Sequence, residues 1–371
     1  MRRPAVERFI GLMSGTSQDA VDGVLAEFAP DHPPRLLASH SIALPAALRR
    51  ALDALQAPGG GDLDLALRLH HDIGLHFADC VIALLATAGL RGDGVRAIGS
   101  HGQTVRHKPD GPAPHSLQLG NAALIAARTG IPTVADFRSG DIAVGGQGAP
   151  LVPAFHKAVF GHRPGRAVLN LGGIANVSVL DLAGTRPWGW DLGPGNTLLD
   201  AWALRHLGQP CDADGRFAAS GTVAPRLLDA LLAHPFLART APKSTGREDF
   251  NLPWLDSVLA GHGPLPPADV QATLAEFTAA CVERALAGLT VIEELLVCGG
   301  GTRNLDLMRR IAERLPGVRV ASTAGAGIDP QQVEALAFAW LARQRVHEQP
   351  LDLGTVTGAS RPVVLGCVYL P

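Results

Sequence analysis

One tyrosine and a total aromatic content of 5% leave few flat side chains on which unpaired bases could stack. Charge is also scarce. Asp, Glu, Lys and Arg make up 18% of the chain, against roughly 25% in an average soluble domain. Their formal sum of −2 gives no electrostatic reason to expect nucleic acid or an anionic membrane as a partner. Cys80, Cys211, Cys281, Cys298 and Cys367 are odd in number, scattered, and contain no C-x-x-C pair. They predict free thiols in a reducing compartment, not a disulfide framework. The opening "MRRPAVERFIGLMSGT" has neither a long apolar core nor a small-residue cleavage site, so it does not read as a signal peptide. No uninterrupted apolar run approaches the roughly 18 residues needed to cross a bilayer. These absences describe a cytoplasmic, soluble protein.

Apolar residues are plentiful, at 47% of 371 residues. That length exceeds one small core and predicts two domains, drawn here as 1–134 with about 346–371, and 135–345. Phe9 and Ile10 lead into the turn "GLMSGTSQD", and Ala20, Asp22, Val24, Ala26 and Phe28 then share one parity, which predicts an antiparallel hairpin. "LRLHHDIGLHFADCVIALLATAGL" has helical spacing, and its His70, His71 and His76 point in different directions, as on an ordinary helix surface. "HSLQLGNAALIAARTG" predicts a helix ended by Gly130, and "IPTVADF" a strand. "RAVLNLGGIANVSVLD" then repeats the strand–glycine–strand layout of the opening, about 155 residues later. In a third turn, "ELLVCGGGTRNLDLMRRIAERL", a helix follows the glycines, with Asn304 or Thr302 as its cap. Asp329 and Pro330 predict the start of the last helix.

No lysine follows Gly15 or Gly173, which excludes a P-loop, and both early turns lead into strands, which excludes the dinucleotide fingerprint. What remains is the α/β, two-domain actin-like (ribonuclease H-like) ATPase fold, with the nucleotide in the interdomain cleft. Backbone N–H groups of a tight glycine turn form a concave anion site. This makes Gly15, Thr16, Ser17, Gln18, Asp19, Ala20, Val21 and Asp22 the first ATP-phosphate segment, and Asn170, Gly172 and Gly173 the second. Gly299, Gly300 and Gly301 would clear space for a flat purine. Asp19 suits a hydrated Mg²⁺ bridging to the phosphates. Glu334 would either reach that metal or pair with a basic neighbour.

The motifs "GLMSGTSQDAVDG", "GSHGQT", "ADFRSGDIAVGGQGAPLVPAFH", "NLGGIANV", "WDLGPGN", "KSTGREDFN" and "VCGGGTRN" resemble the anhydro-N-acetylmuramic acid kinase family, from about residue 9 to the C-terminus. The first turn departs from the family pattern at Gln18 and Ala20. The resemblance implies a homodimeric cytoplasmic kinase of peptidoglycan recycling, acting on a small sugar and not on nucleic acid or membrane. With ATP and water it would open 1,6-anhydro-N-acetylmuramic acid and phosphorylate O6, giving N-acetylmuramic acid 6-phosphate and ADP. The rivals are another actin-like sugar kinase and a non-catalytic ATP switch.

Asp191, just before Gly193-Pro194-Gly195 and a helix beginning near Asn196, is the expected general base, since the N-terminal partial charge of a helix keeps a carboxylate ionised. The resemblance gives it the water that attacks the anomeric carbon. The alternative is a helix-capping aspartate. Asp136, Arg138 and Asp141 lie at a strand end before a glycine-rich loop. Arg138 suits the lactyl carboxylate of a muramic sugar, or else a structural Asp–Arg pair. His101, Gln103 and Thr104 offer short polar reach toward substrate, or a structural loop. Lys243, Arg247 and Asn251 form a polar loop anchored by Phe250, read as a lid or a solvated loop.

Overall fold

The computed structural model describes residues 6–15, 18–30, 32–57, 61–180, 188–241, 243–246, 249–287, 289 and 292–371. The expected phosphate-turn residues Thr16 and Ser17, and Arg247 of the polar loop, lie outside these. The strands along the chain are β1 (Glu7–Met13), β2 (Ala20–Phe28), β3 (Arg35–Ala43), β4 (Ala97–Ser100), β5 (Gln103–Lys108), β6 (His115–Leu119) and β7 (Thr133–Ala135). There follow β8 (Arg166–Leu171), β9 (Ile174–Leu180), β10 (Trp188–Pro194), β11 (Glu294–Cys298), β12 (Arg319–Ser322) and β13 (Cys367–Tyr369).

Contacts divide the chain into two compact units, Met1–Phe155 with Gln332–Pro371, and His156–Gln331. These bounds differ from the expected ones, moving 135–155 and 332–345 into the first unit. The reason is packing. The Val333–Val346 helix is buried over most of its length and lies on β1 and β4, and β13 pairs with β7.

The two sheets share one plan. In the first, the order is β13-β7-β4-β1-β2-β3; in the second it is β10-β9-β8-β11-β12. In each, three strands form an antiparallel meander and two more join parallel to the first. This repeated topology is the ribonuclease H-like, actin-like arrangement expected from the two glycine hairpins.

In the first unit the central strands β1 and β4 are covered on both faces and are mostly apolar or glycine on both parities, whereas the edge strands β3 and β13 are half-buried or exposed. Ile10 and Leu12 of β1 join the cluster under the Leu63–Ala88 helix, whose Leu69, Ile73, Phe77, Val81 and Leu84 recur at helical spacing. Asp62 caps that helix by accepting from Leu65 N–H at 2.9 Å, and Gly89, at φ +64°, ends it. Among the described residues it is the one helix long and apolar enough, by length and composition, to cross a membrane. The expectation that no segment qualifies counted only uninterrupted apolar runs; this helix passes on average and buries its apolar stripe in the core. The opposite face of β1 and β4 carries Gly11 and Gly99, which are in register with one another. A Cβ at Gly11 would fall 1.8 Å from Ala335 O, and one at Gly99 2.0 Å from Phe338 O. Two bare positions therefore let the Val333–Val346 helix lie directly on the sheet.

In the second unit β8 is buried throughout and shares its core with the Pro267–Leu286 helix. Asn304 caps the Leu305–Arg314 helix through Leu307 N–H at 2.9 Å, as expected. Two boundaries differ from the sequence reading. "HSLQL" is strand β6, paired with β5, and the helix begins only at Ala122 behind the Asn121 cap. The last helix begins at Val333, not at Pro330; Asp329 instead accepts from Gln331 N–H at 2.9 Å in a turn ahead of it.

Candidate active site

In the first unit, β1 and β2 are joined by a tight turn in which Gln18 N–H donates to Gly15 O at 3.2 Å. A Cβ on Gly15 would meet nothing within 4 Å, so the turn presents bare backbone there. Gln18 takes φ +57°, a left-handed conformation unusual for a side-chain residue. It is held by its Nε2 donating to Gln56 Oε1 at 2.9 Å, while Gln56 Nε2 donates to Thr104 O at 2.9 Å. Ala20 already lies in β2 opposite Ala43, so the departure from the family pattern at this position strains nothing. Ser14 Oγ lies 2.7 Å from Gln103 Oε1, and Gln103 Nε2 donates to Gly15 O at 3.3 Å. Gln103 and the Thr104 carbonyl thus brace the turn, and Thr104 Oγ1 accepts from Gln118 Nε2. Gln56 was not singled out in the sequence, and the Ser14 and Gln56 bonds reach partners 89 and 48 residues away.

Arg138 brings the next group together. Its Nη2 lies 2.8 Å from His101 Nε2, and its Nη1 donates to Gly148 O at 2.7 Å. For His101 to accept there, its proton must sit on Nδ1. Burial and then the Arg138 charge push the His101 ring down to about 3, against an ordinary 6.5. Burial likewise lowers Arg138 to about 10, while Glu334 and Asp141 act in the opposite sense. The Glu334 charge is thus near enough to act on Arg138. Arg138 Nε is buried without a hydrogen-bond partner, which fits a polar ligand completing this cluster.

Asp141 does not fit the substrate role expected of it. It is 0% exposed, with Oδ2 accepting from Gly148 N–H at 2.7 Å and Oδ1 from the Thr357 hydroxyl at 2.8 Å. Burial outweighs these bonds and raises its carboxyl above the ordinary value. Its function is to fix the glycine loop behind Arg138. Asp136, at φ +54°, accepts from Ser139 N–H and from the Ser139 hydroxyl at 2.6 Å, starting the short Ser139–Ala143 helix. Asp19 is exposed, with Arg49 3.8 Å away.

The neutral histidines make stability depend on pH. His156, buried against Ser178 Oγ at 2.8 Å, is also lowered to about 3 by burial. Below 6.5 the unfolded chain binds protons that the folded chain refuses, so this stability is complete above 6.5 and is lost as pH falls toward 3. Each ring costs about 1.4 kcal/mol per pH unit in that window. Urea midpoints should drop clearly from about pH 7 to about pH 5.5. Equal midpoints would mean that these rings are protonated in place.

In the second unit the three glycine segments converge. Asn196 N–H donates to Gly172 O at 2.8 Å, and Gly195 and Thr197 N–H donate to Gly173 O at 2.9 and 3.1 Å. Asn196 Nδ2 donates to Leu171 O at 2.9 Å. A Cβ on Gly299, at φ +85°, would fall 2.4 Å from Asn170 Oδ1, and one on Gly301 2.5 Å from Leu171 Cβ. These two glycines are required by the chain's own packing, whereas at Gly300 the nearest atom would be 3.7 Å away.

Asp191 stands in a strand, with Asn196, the cap of the next helix, beyond the strand's end. It lies in β10 opposite Asn176, where the register shifts before Gly193, a bulge that re-aims the strand. The next helix starts at Thr197; the N–H of its cap, Asn196, goes to Gly172 O and that of Thr197 to Gly173 O. Asp191 is held from elsewhere: Thr245 N–H donates to its Oδ2 at 3.0 Å, and its own N–H donates to Lys243 O at 3.1 Å. Lys243 and Thr245 of the "KSTGREDFN" segment are therefore tied to β10, and Asn251 caps the helix that follows it. The Thr245 contact has no local sequence signal, being 54 residues distant.

The family model for anhydro-N-acetylmuramic acid kinase matches residues 7–371. The chain belongs to this family. A relative from Bordetella pertussis with that name is 53% identical over 366 residues, covering 97% of this chain and 95% of its own. Relatives of the same name from Thiobacillus denitrificans and Shewanella pealeana are 51% and 48% identical, covering 98% and 97% of this chain and 97% and 98% of their own. Among solved structures, xylulose kinase from Rhodospirillum rubrum aligns with a TM-score of 0.45 and 14% identity, covering 98% of this chain and 94% of that one. As a family member, the chain is a kinase that uses ATP.

Proposed function

We propose that this chain hydrolytically opens 1,6-anhydro-N-acetylmuramic acid and phosphorylates its O6 from ATP, yielding N-acetylmuramic acid 6-phosphate and ADP. Family membership across residues 7–371 carries this reading. Asp191 accepts a proton from water as the water oxygen bonds to the anomeric carbon. The bond from that carbon to O6 breaks, O6 takes the γ-phosphoryl group, ADP leaves, and the proton on Asp191 passes to solvent. A carboxylate bonded to a backbone N–H is favoured in its ionised form, as a base requires.

In the first unit, the bare turn at Gly15 with Gln18, braced by Gln103, suits the close approach of a phosphate chain. Arg138, kept charged beside neutral His101, suits the lactyl carboxylate, and the orphaned Nε of Arg138 supports a ligand there. In the second unit, Asn170, Gly172, Gly173, Gly299, Gly300 and Gly301 are the nucleotide candidates. Mg²⁺, when bound with ATP, would offset phosphate charge. The exposed oxygen ligand of Asp19 fits such a hydrated ion, which takes one or two carboxylates plus phosphates. We further read the enzyme as a cytoplasmic homodimer serving peptidoglycan recycling.

Reaction in ¹⁸O-water tests the chemistry. The expected result is label on the C1 hydroxyl of the phosphorylated sugar and ATP consumption that requires the anhydro sugar. Label in free phosphate alone, or equal turnover with ring-opened amino sugars, would overturn the reading.

A further inference from the structure

The segment from Lys243 to Asn251 is pinned at both ends. At one end Lys243 O accepts from Asp191 N–H at 3.1 Å. The Lys243 ammonium turns away to the Phe236 and Leu237 carbonyls and sits 4.7 Å from the centre of the Phe236 ring. At the other end Phe250 is 0% exposed and stands edge-on to Phe236 and Trp254. Between them Thr245 makes two bonds of different kinds. Its N–H donates to Asp191 Oδ2 at 3.0 Å, and its hydroxyl donates to Asp249 Oδ2 at 2.6 Å. Asp249 N–H in turn donates to Gly246 O at 3.2 Å.

We propose that Thr245 and Asp249 are positioning residues for Asp191: Asp249 fixes Thr245, and Thr245 N–H fixes the direction and charge of the Asp191 carboxylate. This rests on the reading of Asp191 as the base. The short hydroxyl-to-carboxylate bond is of the charge-assisted, geometrically specific kind. A backbone N–H held on a carboxylate oxygen stabilises its ionised form. The arrangement supplies, from a distant loop, the ionised state that a helix terminus would otherwise give.

Thr245→Val removes the hydroxyl but keeps side-chain shape and the N–H; Thr245→Ser keeps the hydroxyl. In the full-length protein with ATP and the anhydro sugar, Thr245→Val should lower kcat on the order of 10- to 100-fold, the scale of a slightly misplaced reacting group. KM for both substrates should stay within about twofold. A loosened N–H bond raises the pKa of the base, so the acidic limb of the kcat–pH profile should move to higher pH. Thr245→Ser should restore both rate and limb. Unchanged kcat and limb in Thr245→Val overturn the proposal. So does a rate loss that comes with raised KM and a lowered Tm but no limb shift, because that marks a merely structural role. Asp191→Asn separates the two levels. Near-normal turnover there removes the base and this proposal with it; an inactive Asp191→Asn beside an unaltered Thr245→Val removes the positioning alone.

Discussion

Asp191→Asn should leave ATP affinity and thermal stability near those of the unaltered protein while kcat with the anhydro sugar falls about 10³-fold. General base catalysis contributes about 10²- to 10⁴-fold, and a thousandfold loss corresponds to about 4 kcal/mol of barrier. The fold should tolerate the change for a local reason. The bond from Asp191 N–H to Lys243 O is backbone, and an asparagine carbonyl can still accept from Thr245 N–H. Calorimetric titration with ATP, a melting curve and single-turnover kinetics together check this. Turnover within a few-fold of normal would remove Asp191 from the chemistry.

Gly11→Ala and Gly99→Ala should each do harm for the opposite reason, by destabilising the first unit without touching a reacting group. The new methyl carbon would stand 1.8 Å from Ala335 O or 2.0 Å from Phe338 O, and both obstacles are helix backbone that no rotamer change can clear. Overpacking usually costs about 1–3 kcal/mol when side chains can yield, so about 4 kcal/mol is expected where backbone must move. For a unit of this size that lowers Tm by about 10 °C. Gly15→Ala, whose Cβ would meet nothing within 4 Å, is the control and should melt normally. Equal Tm for Gly11→Ala and the control would show that the helix does not rest on those glycines.

What could be read from the sequence divides along a physical line. The hairpins at 7–28 and 166–180 were legible because glycine turns and β-rich flanks are local signals. So were the Asn304 cap and the Gly130 stop. Strand β6 was missed because five residues of alternation abut a helix with its own strong pattern. The Val333–Val346 helix was assigned to the wrong unit because it is buried nearly all round, and such a helix does not say which core it enters. Candidate residue types along the loops were visible, but their division of labour was not. Asp141 looked available for substrate until Thr357, 216 residues on, was found to occupy it. The reverse holds for Thr245, an unremarkable polar residue until Asp191 is seen to accept from it.

The glycine-floored seat on β1 and β4 carries a consequence for biosynthesis. Its occupant is encoded after the entire second unit, so roughly 230 residues must be translated between Ser100, the end of β4, and Val333, the start of the helix that covers it. At about 5–20 residues per second on the ribosome, the nascent first sheet waits on the order of ten seconds or more with one greasy face bare. Throughout that interval the emerging polypeptide is a client for chaperones, and a stalled or prematurely released product would be prone to aggregate.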